Sequence, residues 1–462
     1  MRWSEIPREA KAYMIYHTLI APGLITWTLF PLYLMMTGYS VLEVGGAFFT
    51  IVNIASIPLT YLFGRLFNRW DIKKGLIVID ILDGIAYVMY GLAKGAIAPL
   101  MLFGGKVIDK LSTLLYPPLY QAYEQIIYPE DKYEEIFAWH LRLPEIATLV
   151  SFPIMGYLLG YVYNRPEHYR LTFLFFGLFS VVTVTYLWLF LPSVGKEERI
   201  SPEGFTFKAG EFKRLIAFET LLTLAWGLAP EFVLINYVVF VLHKTVFEIT
   251  LIAVASSLLR IAGTYVSERV PKNKGFHVIA LGMFLNALYA FVMTLAPPPF
   301  WLALVVYAIG DFGNALWFPF YRSWLFKLIP KEKTTEFHAA LSSYNRALGL
   351  VTPITAGFLA SVHPTLPYGA SLAGFIVLDC SSCGSQRREE DLKFCFIPLF
   401  SARLSAVLRT ARIPLHQRCG IQRVIIGQAC ELFDPRLEFS PLAEAFWDFF
   451  EPLSSDQRHS QR

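Results

Sequence analysis

The chain has 462 residues, 55% of them hydrophobic and 16% charged, with a formal net charge of +4 and a mean hydropathy of +0.47. A soluble domain carries about a quarter charged residues, so a soluble protein is excluded, and one anchoring segment cannot account for so much apolar sequence. The apolar residues fall in blocks of about 20, the length that crosses roughly 30 Å of hydrocarbon as a helix. The net charge itself says little, and no nucleic-acid partner is expected.

The opening "MRWSEIPREAK" is charged and leads straight into a full-length apolar stretch, so no cleavable signal peptide is expected. Candidate helices follow near 12–36, 41–66, 75–93, 97–126, 135–162 and 171–191. After a polar stretch they resume near 214–241, 246–267, 275–296, 299–326, 336–361 and 367–378. The runs are continuous, without period-2 alternation, which excludes a strand barrel. The bridge at 192–213, rich in charge, Gly and Pro, reads as a cytoplasmic linker. The expected organisation is a bundle at 1–191, the linker, a second bundle at 214–379, and a tail at 380–462. The twelfth helix is expected to be truncated or aberrant.

Lys and Arg set the orientation. With the N-terminus inside, 19 of the 29 cations in residues 1–379 fall in inside loops, 4 fall outside and 6 lie within spans. That bias predicts a cytoplasmic N-terminus.

The two halves echo each other. Shifting by 200 superposes Arg69 on Arg269, Lys74 on Lys274, Gly75 on Gly275 and Pro153 on Pro353. Shifting by 201 superposes Pro118 on Pro319, Tyr120 on Tyr321 and Pro129 on Pro330. Earlier, "SVLEV" (Ser40 to Val44) echoes "TVFEI" (Thr245 to Ile249). Six helices that appear twice in one orientation describe two bundles related by an axis along the membrane normal.

Charge inside the spans carries the remaining signal. Span four holds Lys106, Asp109 and Lys110 at i, i+3 and i+4, with Thr113 one turn on. Each costs about 2.5–3.5 kcal/mol at the centre of an isolated helix, so this face looks into protein or a wet cavity. The cluster either serves function or glues helices together as an internal ion group. Under the 201 shift Lys110 meets Asp311, Thr113 meets Asn314 and Gln121 meets Arg322, so span ten carries a matching stripe. Glu231 follows Pro230 inside span seven, where a helix break is expected, and Glu145 lies in span five. Asp80 and Asp83 in span three, and His17 and His140, are given structural roles. From about Cys380 the composition changes: Cys goes from none to five and Gln from two to six, so a shifted frame, a foreign fusion or an Arg-rich tail is expected there. No second Cys pair follows "CSSC" at ligand spacing, and no metal or cofactor is expected.

The layout resembles the major facilitator superfamily. The family loop Gly-x-x-x-Asp-Arg-x-Gly-Arg-Arg/Lys stands here as Gly64 to Lys74, keeping Gly64, Arg69 and the basic end, with Asn68 for the acid and Asp71 for the second Gly. The second-half copy keeps an acid, Glu268, before Arg269. Of the antiporter pattern Gly-Pro-x-x-Gly-Gly, Pro153 and Gly156 stand.

The resemblance implies a secondary transporter in which two six-helix halves rock to expose a small solute alternately to each side. It places spans one, four, seven and ten around the central cavity, with Lys110 and Asp311 facing each other across it. Lys106, Asp109, Lys110, Glu145, Glu231, Asp311, Asn314 and Arg322 are the candidates for substrate or ion. Gly64, Asn68, Arg69 and Lys73 form the expected switch loop. Proton coupling, a monomer and a place in the plasma membrane are expected. The alternatives are a non-transporting membrane sensor or a membrane-embedded enzyme on the same scaffold.

Overall fold

The computed structural model describes residues 3–67, 71–129, 132–194, 210–271, 274–295, 298–328 and 334–384. Among these the fold is all helix, in twelve spans. Spans one to six are Arg8–Met36, 41–67, Ile72–Leu92, Ala98–Ile127, 133–162 and Pro166–Phe190. Spans seven to twelve are 213–241, Val246–Ser267, Gly275–Leu295, Phe300–Leu328, Thr334–Val362 and Leu366–Gly384. Nine of them are long and apolar enough by themselves to cross a bilayer. Spans four, eleven and twelve fall short: span four carries its own charges, and the apolar part of span twelve is only Leu366–Ile376. Span twelve nevertheless stays helical through Cys380 and Cys383. The compositional change at 380 therefore falls inside a helix rather than at its end; the tail beyond 384 lies outside the described residues.

Local chemistry explains where the spans begin. The echo between "SVLEV" and "TVFEI" is a pair of capping boxes. Ser40 accepts from the Glu43 amide, and Glu43 Oε2 accepts from the Ser40 amide at 2.7 Å, starting span two. Thr245 and Glu248 repeat this at 2.9 Å to start span eight. Asp71, which stands where the family loop has Gly, caps span three by accepting from the Lys73 amide at 2.8 Å.

Spans one and seven, which correspond in the repeat, are both interrupted halfway. Span one passes through a 3-10 stretch at Ala21–Leu24, where Pro22 removes a donor. Span seven stops at Gly227, resumes at Glu231 after Pro230, and ends in a π-helical stretch at Asn236–Val241. The break expected at Pro230 is present.

The duplication is visible in packing. Spans three and four pack together, as do nine and ten; three pairs with six as nine with twelve; one with five as seven with eleven; two with four as eight with ten. The halves meet through spans two and eleven and through spans five and eight, two contacts that the repeat exchanges. These crossings are close. At Gly45 a methyl group would collide with the Pro353 carbonyl, and at Gly156 it would collide with Thr250.

The apolar core has three parts. On the face opposite the N-terminus one cluster runs through both halves, from Phe30 and Phe48 to Phe232 and Val246. Toward the N-terminal face it splits into one cluster per half, around Tyr13 and Tyr123 and around Trp317 and Phe337. The halves are thus sealed by apolar packing on the far face. On the N-terminal face polar ties join them.

Candidate functional site

Span four places its charges at mid-depth. Lys106 Nζ meets Asp109 Oδ2 at 2.5 Å, and the two side chains are 12% and 5% exposed. The Lys106 ammonium also lies 4.9 Å from the Phe30 ring and 5.1 Å from the Phe49 ring, a cation–π seat formed by spans one and two. Phe49 in turn stacks on Phe232 of span seven, with centroids 5.3 Å apart. Beside Phe232, Glu231 accepts a hydrogen bond from Thr28 of span one. The two broken spans therefore meet across the halves, through a carboxylate freed by the break. Lys110 is half-buried, within electrostatic reach of Lys106, Asp109 and Arg346.

The second charged centre is built on Arg260 of span eight. Its Nε reaches Glu145 Oε1 at 2.8 Å and its second amino nitrogen reaches Glu145 Oε2 at 2.9 Å. The remaining amino nitrogen donates to Asp311 Oδ2 at 3.1 Å. The planar guanidinium suits this fork geometry. One cation thus joins a carboxylate of the first half to a carboxylate of the second. The cation that meets Asp311 is Arg260, where the repeat had pointed to Lys110: Lys106 pairs within its own helix, and Lys110 sits one turn further along it. Asn314 donates to Asp311 at 3.4 Å and accepts from Asn286 at 2.8 Å and from the Trp317 indole at 3.3 Å.

A third centre lies nearer the N-terminal face. Arg142 of span five meets Glu268 at 2.5 Å and donates from Nε to Thr264 at 3.0 Å. Its guanidinium covers the Tyr265 ring at 3.9 Å. Arg322 of span ten donates to the Tyr120 hydroxyl of span four at 2.9 Å. Tyr321, the repeat partner of Tyr120, donates to Glu219 of span seven.

Two cavities open along this line. A cavity of about 200 Å³ lies between the halves, lined by Arg142, Glu145, Trp226, Arg260, Asn314 and Trp317 among others. A larger one, about 640 Å³, lies inside the first bundle and reaches the second half at Phe318 and Arg322.

The candidate residues therefore sort by position. Glu145 and Asn314 line the cavity between the halves, Asp311 is tied to its wall through Arg260, Asp109 and Arg322 line the larger one, and Lys106 and Glu231 bridge spans one, two, four and seven. Gly64 lies in the helix Val52–Phe67. Lys73 donates to the Trp188 carbonyl at 2.8 Å, a tie within the first half. Asn68 and Arg69 lie outside the described residues. The cross-half tie next to these loops is made by Glu268 of the second copy. Arg260 and Arg142 escaped the sequence reading; the signal for both was an arginine inside an apolar span, which is itself a candidate for function.

No family model and no curated protein matches this chain. Solved structures do. It is similar to a bacterial homologue of the iron transporter ferroportin in an outward-facing state, with TM-score 0.59 and 15% identity over 81% of this chain and 98% of that one. It is also similar to a POT family transporter in complex with 5-aminolevulinic acid (TM-score 0.60, 12% identity, 81% and 97% covered). A third is the E. coli fucose:proton symporter FucP (TM-score 0.52, 12% identity, 80% and 95% covered). Among the described residues the chain shares the all-helical, multi-span fold of these solved structures, the fold that the resemblance to the major facilitator superfamily implies.

Proposed function

We propose that this protein is a secondary active transporter that moves a small solute by alternating access between two six-helix halves, at 1–191 and 214–379, joined by a cytoplasmic linker at 192–213. The observation that carries this reading is Arg260, held at once by Glu145 of the first half and Asp311 of the second. An ion group costs free energy inside an apolar bundle unless it is paired. Split between two bodies, it ties the far-closed arrangement together, and parting the bodies frees the Glu145 carboxylate while Arg260 keeps Asp311 within the second half. A similar fold in proteins described as transporters and as a fucose:proton symporter supports the same reading.

The driving force is proton movement through one of the in-span carboxylates, with Glu231, Glu145, Asp109 and Asp311 as carriers. The chain works as a monomer in the plasma membrane, N-terminus in the cytoplasm, with the second-half loop at Glu268 as the latch. Symport and antiport differ only in whether proton and solute cross in the same direction. The test is flux in proteoliposomes against a metabolite and drug panel, with and without an imposed pH gradient. Accumulation that follows the gradient supports the reading. Solute binding without flux would make the protein a sensor and refute it.

A further inference from the structure

Toward the N-terminal face the larger cavity is walled by a carboxylate and two imidazoles that the ties above do not use, Glu124, His140 and His17. Glu124 lies in the last turn of span four, fifteen residues beyond Asp109 and so about 22 Å further along the helix. It is 1% exposed, and its Oε2 is buried without a hydrogen-bond partner. An ionised carboxylate with an orphaned oxygen is unfavourable in such a place, and a proton on that carboxyl relieves it.

Two oxygens converge on one nitrogen of His140. Its Nδ1 lies 2.6 Å from the Tyr128 hydroxyl and 3.3 Å from Glu124 Oε1. That nitrogen carries either a proton or a lone pair. As N–H it donates toward both oxygens and suits an ionised Glu124. As a lone pair it accepts from Tyr128 and suits a protonated Glu124. One arrangement of heavy atoms therefore serves both proton states. The His17 ring stands 4.4 Å from that of His140, and Tyr13 lies edge-on to both. Two imidazolium charges so close repel each other, so the rings take up one proton between them.

The cluster faces the second half through Arg322 of span ten. This guanidinium donates to the Tyr120 hydroxyl at 2.9 Å, and both Glu124 of span four and Glu219 of span seven lie within its electrostatic reach. It thus stands between a carboxylate of each half, as Arg260 does. The other groups around the cluster are hydroxyls, which stay uncharged near neutral pH: Tyr13 and Tyr16 from span one, and Tyr116, Tyr123 and Tyr128 from span four. Tyr116 meets His17 Nε2 at 3.0 Å and has Asp80 of span three within reach, and Asp80 accepts from Tyr16 at 2.6 Å. Tyr321 donates to Glu219.

We propose that Glu124, His140 and His17 form a single-proton site, and that its occupancy decides whether Arg322 is shared between the halves or left to Glu219. Without the proton the cluster carries one negative charge, attracts Arg322 across the interface and holds the N-terminal face closed. With the proton, wherever in the cluster it rests, that charge is gone. Arg322 then turns to Glu219 within its own half, and one tie across this face is lost. Release of the proton to the N-terminal side restores the tie. This deepens the transporter reading and rests on it: the cluster is the last stop of the proton, after the carboxylates at mid-depth.

The test uses the full chain in lipid nanodiscs, with the proton itself as probe. Spin labels at Lys132 and Arg269 report the width of the N-terminal face by double electron–electron resonance, from about pH 5 to about pH 9. The wider population should grow as pH falls, by no more than about tenfold per pH unit, the slope of one proton. Glu124→Gln should leave the face wide at every pH, whereas Glu124→Asp should keep the response; this contrast separates the cluster from the Arg142–Glu268 pair on the same face. His140→Gln should move the midpoint by about one pH unit or more. A parent distance that ignores pH, a slope of two protons, or a response that survives Glu124→Gln overturns the proposal. Should Glu124→Gln fail to fold, an unmoved midpoint in His140→Gln overturns it instead. Glu124→Gln vesicles that still accumulate a solute on an imposed pH gradient sink this inference and leave the transporter reading standing. The expected pH response without flux of any solute does the reverse.

Discussion

Replacing Arg260 by Gln removes three charge-assisted contacts and leaves Glu145 and Asp311 facing each other without their shared cation. The geometry sets the scale. Glu145 is held by both its oxygens, at 2.8 and 2.9 Å, and Asp311 at 3.1 Å. Removing one partner of a buried pair costs about 3–5 kcal/mol. The side chains here are 32%, 18% and 15% exposed, so the low end applies, about 3 kcal/mol. Because the contact spans the two halves, that cost falls on the arrangement in which they are joined. It corresponds to roughly a hundredfold shift in its population. Arg260→Gln should therefore lower flux in proteoliposomes by about two orders of magnitude while the protein stays monodisperse. Combining it with Glu145→Gln and Asp311→Asn should restore thermal stability but not flux. If the single variant transports like the parent protein, the bridge has no role in the cycle.

The other ties give equally direct expectations. Reversing one partner of the Arg142–Glu268 pair, by Arg142→Glu or Glu268→Arg, should cut flux about tenfold or more. The double reversal should recover much of it; no recovery would mean the two do not act as a pair. Gly156→Val places a branched side chain against Thr250 and should cost about 1–3 kcal/mol of the far-closed form; it should raise cysteine labelling near Tyr163, and unchanged labelling would count against the close crossing. Glu231→Gln keeps an acceptor for Thr28 but cannot release a proton. Solute counterflow should persist while accumulation driven by an imposed pH gradient is lost, and retained drive would remove Glu231 from the proton path.

Much of this architecture is legible in the chain because a bilayer enforces it. Continuous apolar runs set the spans, and the cation bias sets the expected orientation. The echo of Ser40–Glu43 in Thr245–Glu248 turns out to be capping chemistry, conserved in type because each span must start at its own loop. The break at Pro230 and the polar face of span four follow from local rules for proline and for charge in hydrocarbon.

The partners of those charges follow from no local rule. Arg260 lies 115 residues from Glu145 and 51 from Asp311, and only the crossing of spans five, eight and ten brings them together. Asp80 and Asp83 read as structural; in the fold both line the larger cavity. The twelfth span read as ending at 378 because its hydropathy ends there, although its helix runs on to Gly384.

The measurement closest to the central claim compares two distances in one molecule by double electron–electron resonance. One spin-label pair sits on the far face at Tyr163 and Lys244, the other on the N-terminal face at Lys132 and Arg269. Two rigid halves that rock about a shared midline must move these pairs in opposite senses. Gly156→Val should lengthen the Tyr163–Lys244 distance and shorten the Lys132–Arg269 distance, and Glu268→Gln should do the reverse. Distances that lengthen together, or that ignore both substitutions, would contradict two bodies exchanging access across a charged interface.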